Sequence, residues 1–145
     1  GTLVLWSNNE NFKLKEFKDI LNPKITHISI PNPKVAPYGR ASVEALTTTK
    51  MLDKIESKFV TGESIGAATT YVESKNAEVS MLGEYGIHTK EMSYVSIDES
   101  LYQPINQALV ITNYGKDSKL AKDFKAYILG KEAKEKFLKF GYSVE

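Results

Sequence analysis

Two stretches of this chain follow the same order: a short apolar run, a loop bearing glycine, then residues at helical spacing. The first begins at Ile25 to Ile30, whose alternation predicts a strand. It continues through Pro31-Asn32-Pro33-Lys34-Val35-Ala36-Pro37-Tyr38-Gly39 and enters a predicted helix from Arg40 to Met51, with Val43 and Leu46 on one face. Proline suits neither a central strand nor a helix interior, so 31–39 is predicted as loop. The second passes from Phe59-Val60 through Gly62-Glu63-Ser64-Ile65-Gly66 into a helix striped by Ile65, Ala68 and Val72. Repeated strand-to-helix passages restrict the fold to α/β and predict a largely parallel sheet.

The remaining segments fit that frame. Leu3 to Trp6 reads as a buried strand, Leu14 to Leu21 as a short helix stopped by Asn22-Pro23, and Val79 to Leu82 as a strand. Val95-Ser96-Ile97 is predicted as an edge strand, and Ala108-Leu109-Val110-Ile111-Thr112 as the clearest buried one. Two amphipathic helices follow, the first marked by Leu120, Phe124, Tyr127 and Ile128, the second by Ala133, Phe137 and Phe140. Gly130 separates them, and Gly141 is a candidate cap.

Charge and composition remove several function classes. Lys and Arg number 19 against 18 Asp and Glu, a balance that gives nucleic acid no concentrated basic patch. There is no cysteine, so disulfides and thiolate metal sites are excluded. No apolar run reaches the roughly 18 residues of a bilayer span. The opening Gly1-Thr2-Leu3-Val4-Leu5-Trp6-Ser7 lacks the basic start and long apolar middle of a signal peptide. That start suits a cytoplasmic protein, a processed chain or a fragment.

The two glycine loops are the places where chemistry is expected. The first amides of a helix have no acceptor within it and carry about half a positive charge between them. Two helix starts facing one cleft would hold a small anion without Lys or Arg at the ligand. Every α/β domain has strand-to-helix turns, however, so the pattern alone does not decide. Lys34 and Arg40 flank the first start, either compensated by a bound dianion or pointing to solvent. Gly62-Glu63-Ser64-Ile65-Gly66 also fits the G-x-S-x-G nucleophile elbow, at the expected junction. A serine hydrolase on Ser64 would need a later histidine, and only His88 follows; Glu73, Glu78 and Glu84 are the candidate acids. His27 and His88 have no metal-ligand partner at useful spacing. Trp6 reads as packing.

The stretch Asn32-Pro33-Lys34-Val35-Ala36-Pro37-Tyr38-Gly39-Arg40-Ala41, with Val43-Glu44-Ala45-Leu46 after it, resembles the signature of periplasmic molybdate-binding proteins. Other pieces agree in order: Leu3 to Ser7, Phe59 to Ile65, Asn76-Ala77-Glu78-Val79, Tyr102 to Ala108, and Phe137 to Tyr142. The resemblance implies a type II periplasmic binding fold, in which two α/β lobes joined by crossing strands close on one oxyanion. It implies no enzyme and no cofactor, a molybdate or tungstate ligand, a membrane permease of an ABC importer as partner, and a periplasmic location. Residues 1–7 would be an interdomain crossing strand, 8–104 the complete second lobe, and 105–145 a return strand and helices of a first lobe lying mostly outside this sequence. Tyr38 and Ile65 would reach the ligand through their backbone N–H groups, with Gly39 and Ser64 in support. Some relatives supply a tyrosine hydroxyl near Gly83-Glu84-Tyr85; here Tyr85 stands two residues on. As a fragment, the chain is expected to self-associate through its last two helices, and one reading keeps that as its whole role.

Overall fold

The structure is a computed structural model that describes residues 1–87 and 93–144. It divides into two units, Gly1–Ile105 and Asn106–Glu145.

The first unit is built on a five-stranded sheet, ordered β3-β2-β4-β1-β5. The strands are β1 (Leu3–Ser7), β2 (Ile28–Pro31), β3 (Phe59–Gly62), β4 (Val79–Gly83) and β5 (Ser93–Ser96). β2 pairs in parallel with both β3 and β4, whereas β1 is antiparallel to β4 and to β5. The sheet is therefore mixed, a correction to the largely parallel one expected. Reading direction into β1 requires knowing its neighbours, and a short apolar run carries no direction. β5 lies at an edge, as its position in the strand order shows.

Three helices accompany the sheet: α1 (Pro37–Thr48), the short α2 (Leu52–Ile55) and α3 (Ile65–Glu73). α1 and α3 cover opposite faces, and the strand residues alternate to match. Leu3, Leu5, Ile28, Ile30, Val79 and Met81 pack with Tyr38, Ala41 and Ala45 of α1. Val4, Trp6 and Leu82 pack with Val72 of α3 and Ala77. Because both faces are covered, β1 reads as an unbroken apolar run. Small polar residues let α3 lie close: Ser29 Oγ donates to the Ala68 carbonyl at 2.8 Å, and Ser80 Oγ to the Ser29 carbonyl at 3.0 Å. Both of these buried hydroxyls are thus paired, which removes the cost of taking them from water.

The segment after β5 is tied back onto the first face. The Leu3 amide donates to the Tyr102 hydroxyl at 3.1 Å, and the Gln103 amide to Glu44 Oε2 at 2.8 Å. Leu14–Leu21 contributes a 3-10 turn, Phe17–Leu21, rather than an α-helix. Asp19 accepts the amides of Lys15 and Glu16, which tightens the entry into that turn.

The expected helix start is also corrected: α1 begins at Pro37, three residues before Arg40. Proline is a breaker inside a helix but a favoured first residue, where its missing N–H has no partner to lose. Both α1 and α3 end with a lysine at positive φ, Lys50 at 56° and Lys75 at 61°. There Met51 N–H closes on Leu46 and Asn76 N–H on Tyr71, the six-to-one bond of a Schellman ending.

The second unit contains α4 (Lys119–Ile128) and α5 (Lys131–Lys139). Gly130 caps the start of α5, and Gly141, at φ 78°, ends it. Tyr142 N–H bonds the Phe137 carbonyl at 3.0 Å, and the two rings meet edge to face at 5.8 Å. This is a Schellman ending with its hydrophobic contact. Among the described residues of this unit only Ala133 is buried. Ala108–Thr112 forms no strand, and Val110 is 83% exposed. Its sequence has the apolar content of a buried strand, but a strand exists through its pairing, and no strand among the described residues pairs with it.

Candidate functional site

The parallel register makes Pro31 the partner of Gly62, and both are the last residues of their strands. The loops that leave them lead to α1 and α3. Asn32 N–H donates to the Gly62 carbonyl at 2.8 Å, so the two loops begin bonded to each other. In open α/β sheets ligands bind at such carboxyl ends of parallel strands.

At the first loop, Asn32 organises the turn: its carbonyl accepts Ala36 N–H at 2.8 Å and its side-chain oxygen accepts Lys34 N–H at 3.0 Å. Pro37 then opens α1, so the first-turn amides are those of Tyr38 and Gly39. A Cβ on Gly39 would run into the Pro31 carbonyl. Only glycine lets the helix start press against the end of β2. The Tyr38 side chain is buried, and its carbonyl accepts the Ser42 hydroxyl at 2.7 Å.

At the second loop, Ser64 caps α3: its Oγ accepts Ala67 N–H at 3.1 Å. Ile65 and Gly66 are the first two residues of that helix, and the helix offers their amides no acceptor. Neither α1 nor α3 has an acidic residue in its first turn to offset the positive helix end. The nearby Glu63 carboxylate faces the Asn32 side-chain amide at 3.4 Å.

A third element meets both starts. The 3-10 turn Glu84–Gly86 leaves β4. Its Tyr85 ring meets the Tyr38 ring edge on, with centroids 5.6 Å apart. Its Gly86 lies against Ile65, whose Cγ2 would be 2.9 Å from a Cβ there. The structure thus gathers Tyr38, Gly39, Ser64, Ile65 and Tyr85 around three adjacent strand ends. It does not bring Arg40 in: the guanidinium lies 3.7 Å from Glu44 one turn along α1, mostly exposed. Sequence reasoning named Gly83 only as a position near which some relatives carry a tyrosine; it missed that Gly83, buried at the end of β4, lies against the Tyr38 ring, which a Cβ there would approach to 2.7 Å.

The nucleophile-elbow reading is corrected here. Ser64 has ordinary extended backbone, φ −147° and ψ 170°, and its oxygen is spent on the helix cap. His27 precedes β2 while Ser64 follows the neighbouring β3, so they stand at opposite ends of the sheet. His88 lies outside the described residues. Trp6 is buried in the second core cluster, as packing required. A pocket of about 370 Å³ is lined by Glu10, Asn11, Phe12, Lys13 and Leu14 of the loop that follows β1, with Asp19 of the 3-10 turn and Asn22. That loop starts at the end of the sheet remote from the helix starts. Among the described residues, no group of His, Asp and Glu is placed to hold a metal ion.

Two helix starts thus stand on adjacent parallel strand ends, one of them capped by Ser64. The chain belongs to the bacterial extracellular solute-binding protein family, whose model matches residues 1–143. It is 32% identical to the molybdate-binding protein ModA of Azotobacter vinelandii and 32% identical to that of Rhodobacter capsulatus, over 100% of this chain in both cases. The solved periplasmic molybdate-binding protein of Azotobacter vinelandii superposes with a TM-score of 0.91 at 28% identity, covering 100% of this chain and 65% of that one. The fold is accordingly that of a periplasmic molybdate-binding protein. The chain spans 59% and 58% of the length of the two curated relatives.

Proposed function

We propose that this protein binds a tetrahedral oxyanion, molybdate or tungstate, for delivery to the membrane permease of an ABC importer, and that it works in the periplasm. The observation that carries the reading is the pairing of Pro31 with Gly62, which sets the starts of α1 and α3 side by side. The amides of Tyr38 and Ile65 are the assigned donors, with Gly39, Ser64 and Tyr85 in support. Likeness to two molybdate-binding relatives names the anion. A dianion suits such a site because hydrogen bonds to a charged group contribute roughly 1.5–3 kcal/mol each. Selectivity against sulfate rests on cavity size, since charge and shape are the same.

Residues 1–7 are assigned as an interdomain crossing strand, 8–104 as one lobe, and 105–145 as the return segment and helices of the other. On this assignment the first lobe supplies further donors, and the protein is a carrier without catalytic activity. Calorimetric titration of molybdate, tungstate, sulfate and phosphate tests the reading. Molybdate and tungstate should bind one per chain, with sulfate at least about tenfold weaker, or 1.4 kcal/mol. Absence of binding by both heavier anions, or equal binding of sulfate, overturns it.

A further inference from the structure

Gly83 has no side chain and no assigned role, yet it lies where the two aromatic rings of the site converge. A Cβ added to it would be 2.7 Å from Tyr38 Cζ, 2.8 Å from Tyr38 Cε1 and 2.7 Å from Tyr85 Cε1. Real carbon contacts do not reach such distances, so one or both rings would have to move. Neither has easy room: Tyr38 is buried, and Tyr85 packs edge on against it.

The ring of Tyr38 is coupled to its own backbone, because Tyr38 is held at three further points. Pro37 precedes it at the fixed φ of proline, its carbonyl takes the Ser42 hydroxyl, and Gly39 behind it abuts the Pro31 carbonyl. A displaced ring therefore has little slack to absorb the movement, and the start of α1 must shift with it. Close-packed interiors transmit such displacements instead of damping them.

We propose that Gly83 is a positioning and specificity-determining residue: by leaving room for the Tyr38 ring against the end of β4, it fixes the Tyr38 amide at the mouth of the anion site. The ring occupies the space that a side chain at position 83 would fill, so in this protein residue 83 and Tyr38 exclude one another. Position 83 supplies no ligand group here; it sets the placement of a donor borne by a different helix. This inference rests on the oxyanion reading for its functional consequence but not for its geometry.

The test compares wild type with Gly83→Ala, Tyr38→Leu and the double variant. In the ligand-free protein, Gly83→Ala should shift the backbone amide resonance of residue 38 and leave those of α4 and α5 in place. In the Tyr38→Leu background the same methyl should leave that amide where it was. In calorimetry with molybdate, Gly83→Ala should weaken binding at least about tenfold, and less than about twofold when leucine stands at 38. If Gly83→Ala does not fold, the double variant, in which leucine leaves space for the Tyr85 ring to turn away from the methyl, carries the test: it must fold and bind as Tyr38→Leu does. An unmoved amide, or an equal loss in both backgrounds, overturns the proposal. Failure of the wild type to bind either oxyanion would sink the functional reading alone, and the amide shifts would still decide the positioning role.

Discussion

Pro31 and Gly62 are register partners at the ends of two parallel strands, and the loops leaving them share a 2.8 Å hydrogen bond from Asn32 to Gly62. Everything proposed for the site follows from that pairing. It places one helix start six residues beyond Pro31 and another three residues beyond Gly62, on neighbouring strands. Two partial positive ends then stand at the same end of the sheet.

Arg40 lies in the first turn of α1, and its guanidinium stands 3.7 Å from Glu44. Arg40→Ala should therefore change molybdate affinity by less than about tenfold, or 1.4 kcal/mol. Calorimetry on the variant checks this, and a thousandfold loss would make Arg40 a direct ligand.

Ser64 is a helix cap. Ser64→Ala should cost about 0.5–2 kcal/mol of stability by denaturant unfolding. It should leave hydrolysis of an activated ester at the level of the unaltered protein, and that level should be background. A burst of ester cleavage that disappears with the hydroxyl would restore the hydrolase.

Glu78 ties the opposite end of the sheet: its carboxylate accepts His27 N–H at 2.7 Å and Thr26 N–H at 2.9 Å. Burial opposes its ionisation, but the amides of His27 and Thr26 and the Thr26 hydroxyl outweigh burial and hold the carboxyl below its usual 4.5. A carboxyl lowered on folding contributes stability that is fully present above the unfolded value and is lost as pH falls through the folded one. Stability should thus fall below pH 4.5, and Glu78→Gln should flatten part of that fall. The group is half-buried and in contact with solvent, so the effect at neutral pH should be about 1 kcal/mol or less. Thermal unfolding across pH 3–7 measures it, and an unchanged acid limb would remove Glu78 from the account.

Much of this fold was legible. The runs at Leu3 and Val79 are strands because both faces of the sheet are covered, and the stripe Ile65, Ala68, Val72 marks α3 correctly. What failed has a physical cause in each case. Pro37 ends a loop and opens a helix with the same residue chemistry, so the boundary slipped by three positions. Ala108–Thr112 announced apolarity but not a partner. Of the site, both loops could be read from glycine placement, whereas Ser64 read as a nucleophile or ligand-side residue and the structure shows it as a helix cap. The contact between Gly83 and Tyr38 could not be read, because it joins residues brought together only by the β2-α1 and β4 packing.

The second unit shows Leu120 79% exposed and Phe124 62% exposed on α4, with Leu138 and Phe140 exposed on and after α5. Soluble chains seldom leave a contiguous apolar patch of more than a few hundred Å² in water. Light scattering should show a mass above that of one chain that rises with concentration, and Leu120→Lys with Phe124→Lys should lower it. A monodisperse monomer at every concentration would contradict this.

The central claim is that backbone amides hold the anion. Ile65 tests it with least disturbance, because the first position of a helix accepts proline and Ser64 before it already has the extended backbone that proline demands. Ile65→Pro removes one N–H and keeps the helix, whereas Ile65→Val keeps the N–H and trims the side chain. Molybdate titration of the two variants beside the wild type should show Ile65→Val nearly unchanged. Ile65→Pro should bind roughly 10- to 150-fold more weakly, the equivalent of about 1.5–3 kcal/mol for one hydrogen bond to a charged group. If Ile65→Pro folds and binds as well as the wild type, or if valine is the more damaging substitution, the anion is not held by the start of α3.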